Sequence, residues 1–334
     1  MHSIAKMSNS TLPTEAADTA FAGLEIAVIL PCYNEEAAIG TVVTAFRKEL
    51  PQARIYVYDN NSKDRTSAVA AAAGAIVRKE TLQGKGNVVR RMFADIDADV
   101  YLMCDGDITY DAASAPALIA KLVDENMDMV VGCRVDTEVA AYRAGHRFGN
   151  ALFTGAVARL FGNRFTDILS GYRAFSRRYV KSFPALSNGF EIETELTVHA
   201  LELRMPIGEI DTPYGARLEG STSKLSTYRD GFRILMMITK LFKNERPLAF
   251  FALIFGLLSL IATGLAIPVL VTYFETGLVP RLPTAVLAAS VMLLAFLSLT
   301  CGLILDTVTH GRRELKRLAY LTTPSVRAVL EKDL

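Results

Sequence analysis

The sequence predicts an α/β domain with a mostly parallel central sheet, an interface helix and two C-terminal transmembrane helices. Three observations predict it. Apolar, β-branched runs alternate with helical periodicity from residue 25 to about residue 133, a polar cluster closes most of those runs, and two long uncharged segments lie near the C-terminus. Alternating strands and helices imply parallel pairing with both faces covered. Ligands of such sheets bind beyond the carboxyl ends of the strands.

Residues 25–30 form an apolar run ended by Pro31, and 35–50 has helical periodicity. A second strand at 54–58 leads through a polar turn to an Ala-rich helix, 67–74. A short strand at 75–78, a helix at 85–96, a strand at 98–104, a helix at 115–126 and a strand at 129–133 follow. After Asp136 the pattern loosens. Residues 139–160 read as helical with several basic residues, 162–175 as a polar connection with a short strand near its end, 192–203 as a helix and 207–213 as a strand. One α/β domain is expected over 24–225. Residues 1–23, rich in Ala, Ser and Thr without an apolar signal core, read as a disordered tail.

Residues 247–273 and 283–305 contain no Asp, Glu, Lys or Arg, and each exceeds the roughly 20 residues that cross a bilayer core. Basic residues precede the first span and follow the second, whereas the loop between them holds only Glu275 and Arg281. The positive-inside tendency therefore puts the α/β domain and both termini in the cytoplasm. Residues 226–246 carry Tyr228, Phe232, Leu235, Met236 and Phe242 near helical spacing with basic residues between, which suits an amphipathic helix in the membrane interface. Residues 306–334 read as a cytoplasmic tail. The four cysteines lack metal-like spacing and read as small buried residues. A net charge of +1 says little about partners, and no nucleic-acid partner is expected.

Asp105-Gly106-Asp107 follows the strand at 98–104. Two carboxylates around one small residue can hold Mg²⁺ or Mn²⁺ against a diphosphate, because these hard cations take one or two carboxylates plus phosphate oxygens. Pro31-Cys32-Tyr33-Asn34-Glu35 ends the first strand. Its backbone and the side chains of Asn34 and Glu35 are placed to meet a base or ribose, while Asn34 is also a candidate helix cap. Asp59 ends the second strand and can accept from base or ribose; Ser62 and Asp64 read as caps of the next helix. Gly84-Lys85-Gly86-Asn87 opens a helix where glycines allow close backbone approach and Lys85 adds positive charge for an anion. Glu191, Glu193 and Glu195 are an acidic helix start, one of which can bind sugar hydroxyls.

In order along the chain, the Pro31–Glu35 loop, Gly84–Asn87, Asp105-Gly106-Asp107, Gly132-Cys133-Arg134, Ser170-Gly171-Tyr172-Arg173 and Arg217…Ser223-Lys224 resemble the family 2 glycosyltransferases of the GT-A fold. The likeness is to the polyprenyl-phosphate hexosyltransferases of the dolichyl-phosphate mannose synthase type, and the tail looks most like the bacterial GtrB-type branch. The resemblance implies an inverting, metal-dependent transferase of the bacterial cytoplasmic membrane, with a nucleoside-diphosphate sugar as donor, polyprenyl phosphate as acceptor, and a homo-oligomeric, possible tetrameric, assembly. It implies donor contacts at Pro31, Tyr33, Asn34, Glu35, Asp59, Lys85, Gly106, Asp167 and Arg217. It implies lipid-phosphate contacts at Arg134, Arg147, Arg173 and Lys224. UDP-glucose is the first choice of donor, with GDP-mannose the alternative.

Two positions depart from the pattern. Asp59 is followed by Asn60-Asn61 where many relatives carry Asp-Gly, and Thr109 stands where a Gln often assists the metal. Other readings fare worse. A processive polysaccharide synthase carries a Gln-x-x-Arg-Trp motif, and this chain has no Trp. A nicotinamide dehydrogenase needs Gly-x-Gly-x-x-Gly after the first strand, which is absent. A non-catalytic membrane scaffold is the remaining alternative, and the intact Asp105, Asp107, Lys85 and Arg134 argue against it.

Overall fold

The computed structural model describes residues 21–136, 155, 165–189, 191–215, 236 and 239–331. It divides into two units, one of Met1–Gly231 with Lys316–Leu334 and one of Phe232–Leu315. The first carries a seven-stranded sheet in the order β3-β2-β1-β4-β6-β5-β7. Its strands are β1 (Ile26–Cys32), β2 (Arg54–Asp59), β3 (Ile76–Lys79), β4 (Val100–Met103), β5 (Met129–Asp136), β6 (Arg173–Ser176) and β7 (Ile207–Tyr214). All pairings are parallel except those of β6 with β4 and β5. The mostly parallel sheet is as expected. The antiparallel insertion of β6 has no periodicity signal, because four fully buried residues are too few to show one.

Strands buried on both faces read as continuous apolar runs, and β1 and β4 do so. α1 (Ile39–Glu49) buries Ile39, Val42, Val43 and Phe46, the spacing of one helix face. α2 (Thr66–Ala72), α3 (Lys85–Asp95) and α4 (Ala115–Asp124) follow their strands in turn, and α4 starts at a Pro that fits an N-terminal turn. α5 (Arg177–Ser182) is a short helix in the stretch between 175 and 192, to which the sequence assigned no element, and α6 (Ile192–Glu202) is buried along most of its length. Parallel register sets Cys32 beside Asp59 and Asp59 beside Lys79. The first two strand-end clusters thus share one edge of the sheet.

In the second unit, α7 (Pro247–Thr276) and most of α8 (Leu282–Thr322) are two helices long and apolar enough to cross a membrane. They meet along small residues. Ala288, Ala295, Gly302 and Thr309 are the buried positions of α8, each seven apart. A Cβ added at Gly302 would lie 2.9 Å from the Phe251 Cβ, so the helices touch where Gly permits it. Ser298 donates to the Phe251 carbonyl at 3.2 Å, and Arg313 donates to the Glu245 carbonyl at 2.8 Å. Large apolar side chains such as Leu260 and Phe274 point outward, and Cys301 is exposed rather than buried; Cys32, Cys104 and Cys133 are buried as expected.

Residues 306–334 differ from the expected tail. The helix continues from the apolar stretch to Thr322, and α9 (Val326–Leu330) follows, capped by Ser325, whose hydroxyl accepts from the Ala328 amide at 3.2 Å. From Lys316 onward the chain packs onto the α/β unit. The Tyr320 hydroxyl donates to Asp128 at 2.8 Å, Lys316 pairs with Glu202 at 2.7 Å, and Val326 joins the main core. Of the expected interface helix, residues 239–245 are helical and most of the rest lies outside the described residues.

Candidate active site

The first two loops are stapled together by their own polar groups. Asn34, at φ 56°, donates its amide to Ser62 Oγ at 2.9 Å, and its side-chain oxygen accepts from the Lys63 amide at 2.8 Å. The Glu35 amide donates to Thr66 Oγ1, and the Glu36 amide to Asp64. Ser62 therefore bridges to the first loop and does not cap α2, whereas Asp64 does both, its second oxygen accepting from the amide of Thr66, the residue that opens α2, at 3.0 Å. Asp59 is buried; its two oxygens accept from the Ser62 amide at 2.8 Å and the Ser67 hydroxyl at 2.5 Å. Burial pushes its carboxyl up, but the hydrogen bonds from Ser62 and Ser67 and the charge of Lys79 outweigh that and hold it below the usual range. Asn60 supports the next loop, donating to the Glu80 and Leu82 carbonyls and accepting from the Gly84 amide.

α3 begins against the chain's own backbone. Gly84 has φ +127°, and a Cβ on Gly84 or Gly86 would run into the Asn188 or Ser187 carbonyl. The glycines thus admit residues 187–188, which Glu195 fixes by accepting from the Leu186 and Ser187 amides at 2.8 and 2.7 Å. The close approach that the sequence assigned to an anion is made by this segment. The Lys85 side chain turns toward two carboxylates, with Nζ 2.5 Å from both Asp105 Oδ1 and Glu193 Oε1. Burial alone would lower the lysine, but Asp105 and Glu193 more than offset it and hold the ammonium far above its ordinary value. Glu193 is buried, and its Oε2 has no hydrogen-bond partner.

Asp105 is backed on its other side by Gly171, where a Cβ would lie 2.7 Å from Asp105 Oδ2. The Gly171 amide donates to the Tyr110 hydroxyl at 2.9 Å. Burial, then the charge of Asp105, keeps that hydroxyl protonated; Arg134 acts on it in the opposite sense. Ser-Gly-Tyr-Arg is therefore a brace for the Asp-x-Asp carboxylate, and the neighbouring Tyr110 is a part of the site that carried no motif signal. Gly106 lies against Cys32, where a side chain would collide with the sulfur. Asp107 accepts from the Thr109 hydroxyl, and Thr109 is buried. Thr109 thus orients the Asp107 carboxylate.

Two carboxylates in this loop fit a divalent cation that completes its shell with diphosphate oxygens and water. Asp105 Oδ2 accepts no hydrogen bond from the described residues, which leaves it open to such an ion. Among those residues no set of three His, Cys, Asp or Glu groups could cage a metal without substrate oxygens.

Arg134, on β5, makes two bonds of 2.7 Å to the carboxylate of Asp167 and lies over the Tyr214 ring at 5.6 Å. Burial would raise the Asp167 carboxyl, yet Arg134 holds it below the usual range. The residue 166–167 loop is anchored by Glu209, which accepts from the Thr166 amide at 2.7 Å. Asp167 is thus placed to aim Arg134. Both of its oxygens are engaged there rather than presented to a donor sugar.

Arg173 corrects the sequence reading. It is fully buried and gives its guanidinium to the Ser170 carbonyl at 2.8 Å, Thr197 Oγ1 at 2.8 Å and the Ile168 carbonyl at 2.5 Å. No lipid phosphate reaches it; it braces the loop that supports Asp105. Arg173→Met is expected to cost on the order of 3 kcal/mol, since at least two buried carbonyls lose their donors at about 1–3 kcal/mol each. Thermal unfolding in detergent reads this directly. A variant of wild-type stability with a raised lipid-phosphate KM would restore the discarded role.

The structure therefore brings together Lys85, Asp105, Asp107 and Gly106 with Glu193, Gly171 and Tyr110, and pairs Arg134 with Asp167. Pro31, Asn34, Glu35 and Asp59 share the edge formed by β1 and β2, and Tyr33 lies in the same loop. Arg147, Arg217 and Lys224 fall outside the described residues. Glu193 stood out only as one of three glutamates, because the helix start that selects it is invisible without Lys85 opposite.

A family model described as glycosyl transferase family 2 matches residues 27–183. Protein RfbJ of Shigella flexneri is 58% identical over 123 residues, 36% of this chain and 95% of its own. Glycosyltransferase AglJ of Haloferax volcanii is 34% identical over 300 residues, 89% of this chain and 98% of its own. Dolichyl-phosphate hexose transferase of the same organism is 28% identical over 222 residues, 66% of this chain and 96% of its own. Among solved structures, glucosyl-3-phosphoglycerate synthase from Mycobacterium tuberculosis, in complex with Mn²⁺, UDP and glucosyl-3-phosphoglycerate, superposes with a TM-score of 0.59 at 23% identity. It covers 71% of this chain and 86% of that one, a likeness of fold.

Proposed function

The chain belongs to glycosyl transferase family 2, and from that premise we propose that it transfers a hexose from a nucleoside diphosphate to a polyprenyl phosphate at the cytoplasmic face of a membrane. UDP-glucose is the proposed donor, on the likeness of the tail to the GtrB-type branch. The observation that carries the reading is the Asp105 carboxylate, set between the Lys85 ammonium and Gly171 at the carboxyl edge of a mostly parallel sheet with Asp107 beside it. The dolichyl-phosphate hexose transferase relative and the two outward-apolar helices support a lipid-phosphate acceptor.

In the proposed reaction the acceptor's phosphate oxygen attacks the anomeric carbon from the face opposite the leaving group. The bond from that carbon to the diphosphate breaks, and configuration inverts. A phosphate monoester has a second pKa near 6, so the nucleophile is already anionic at neutral pH and no general base is required. A divalent cation at Asp105 and Asp107 would neutralise charge on the departing diphosphate. Lys85 adds a second positive charge there, and Glu193 Oε2 is an acceptor for a donor-sugar hydroxyl. Arg134, aimed by Asp167, binds the acceptor phosphate through a planar fork suited to that group. Arg147 and Lys224 are proposed on the acceptor side, and Arg217 on the donor side. The first loop and Asp59 frame the base and ribose.

The deciding experiment incubates the membrane-embedded protein with undecaprenyl phosphate, Mn²⁺ and a panel of nucleotide sugars, and identifies the glycolipid by mass. A single hexosyl phospholipid that disappears with excess chelator is expected; equal product in chelator would remove the metal role. Arg134→Gln is expected to raise the lipid-phosphate KM about tenfold or more, the worth of a charged hydrogen bond at about 1.5–3 kcal/mol. The donor KM should move little. An unchanged dependence on lipid phosphate would exclude Arg134 from the acceptor site.

A further inference from the structure

Lys85, Asp105 and Glu193 form a compact group whose charges do not cancel. One ammonium lies 2.5 Å from oxygens of two carboxylates, and the Lys85 and Glu193 side chains are only 9% and 7% exposed. Among the described residues Lys85 is the only ion-pair partner of Glu193, whose second oxygen is buried without a hydrogen bond. Gly171 backs the Asp105 carboxylate on the side away from the ammonium, where a Cβ would lie 2.7 Å from Oδ2. Carboxylates held at this spacing attract a divalent ion, and the ammonium already stands between them.

We propose that Lys85 is the built-in counter-cation of the unloaded site. Its side chain fills the anionic notch between Asp105 and Glu193, keeps a divalent ion from settling there, and leaves when a donor diphosphate offers it a stronger anion. Metal entry then depends on nucleotide. The proposal rests on the reading of Asp105 as a metal ligand and adds the order in which the parts assemble. Glu193 is in this scheme a positioning residue. It helps hold Lys85 on Asp105 before the donor arrives, and afterwards becomes an uncompensated acid deep in the site. By thermodynamic reciprocity, a nucleotide that releases the lysine tightens metal by the same factor as metal tightens nucleotide.

The test uses the full chain in detergent, with Mn²⁺ followed by the electron paramagnetic resonance of the free ion and UDP as the diphosphate probe. Wild type is expected to bind Mn²⁺ at least tenfold more tightly with UDP than without it. Lys85→Gln, which removes the charge but keeps a donor, should bind Mn²⁺ without UDP at least tenfold more tightly than wild type. Lys85→Arg, which keeps the charge, should stay near wild type. Should Lys85→Gln not fold, Lys85→Gln combined with Glu193→Gln removes the buried unpaired acid and is still expected to exceed wild type. A folded neutral variant that binds Mn²⁺ no better than wild type overturns the proposal, as does wild-type binding that ignores UDP. Wild type that takes up no Mn²⁺ even with UDP would instead fault the metal reading of the site. No lipid or sugar enters the assay, so its outcome is independent of which acceptor is used.

Discussion

Asp107→Ala is expected to lower hexose transfer by on the order of a thousandfold, the scale seen when one element of charge stabilisation is taken from a transition state. That is about 4 kcal/mol of barrier. Stability should change by no more than about 0.5 kcal/mol, because Asp107 is half-buried in a loop and fills no core position. Asp105 is the poorer choice for this experiment. Its removal also strips Lys85 of one of two anions and leaves space against Gly171, so lost activity and altered packing would be confounded. Thr109→Val provides the graded counterpart. It removes the hydroxyl that orients Asp107 while keeping shape, and about a tenfold loss is expected for one hydrogen bond to a charged group. The measurement is initial rate of glycolipid formation at saturating Mn²⁺, with circular dichroism as the folding control. Transfer by Asp107→Ala within tenfold of wild type would mean that the second acid of the pair holds no metal.

What the chain revealed unaided depends on the length of each signal. β1 and the run leading into Asp105 are apolar stretches closed abruptly by polar residues, and parallel strands covered on both faces have to look like that. The carboxyl edge of the sheet was therefore legible, and Asp105, Asp107 and Lys85 lie along it. Arg173 was misjudged for a sound reason. Arginine is seldom fully buried, and nothing local in Ser-Gly-Tyr-Arg says that Ile168, Ser170 and Thr197 will surround it. The glycines of Gly84–Gly86 were rightly read as sites of close approach, but the approaching group comes from residues 187–188, a hundred positions away. Tyr110 and Glu193 have the same explanation: their roles exist only across the fold, against Gly171 and Lys85. For residues 306–331 neither the helix nor its docking was legible, because Arg, Lys, Glu, Leu and Ala in a row suit a docked helix and a solvated one equally well.

The docking of that segment carries a strong prediction, namely that a chain ending at Leu315 is expected to lose the cooperative unfolding of its α/β unit near physiological temperature. Val326 is 2% exposed within the main core, and burying such a side chain stabilises by about 1.5–3 kcal/mol. Tyr320 donates to Asp128, a fully buried carboxylate that also takes Arg178 and Ser176, so a missing hydroxyl leaves a buried charge short of one donor. Hydrogen bonds of that kind are worth about 1.5–3 kcal/mol. Arg178 would lose the Tyr320 ring, 4.8 Å away, and Glu202 would lose its ion pair with Lys316. Together these approach the roughly 5–15 kcal/mol by which whole domains are stable. Tyr320→Phe isolates one contact and should cost about 2 kcal/mol, whereas Arg327→Ala, at an exposed pair with Glu331, should cost less than about 0.5 kcal/mol. Thermal unfolding followed by circular dichroism ranks the three. A truncated chain that melts with wild-type sharpness and midpoint would show the segment after Leu315 to be the passive tail that its composition resembles. The predicted ranking would instead make the segment after Leu315 an integral part of the α/β unit, although it follows the two apolar helices in sequence.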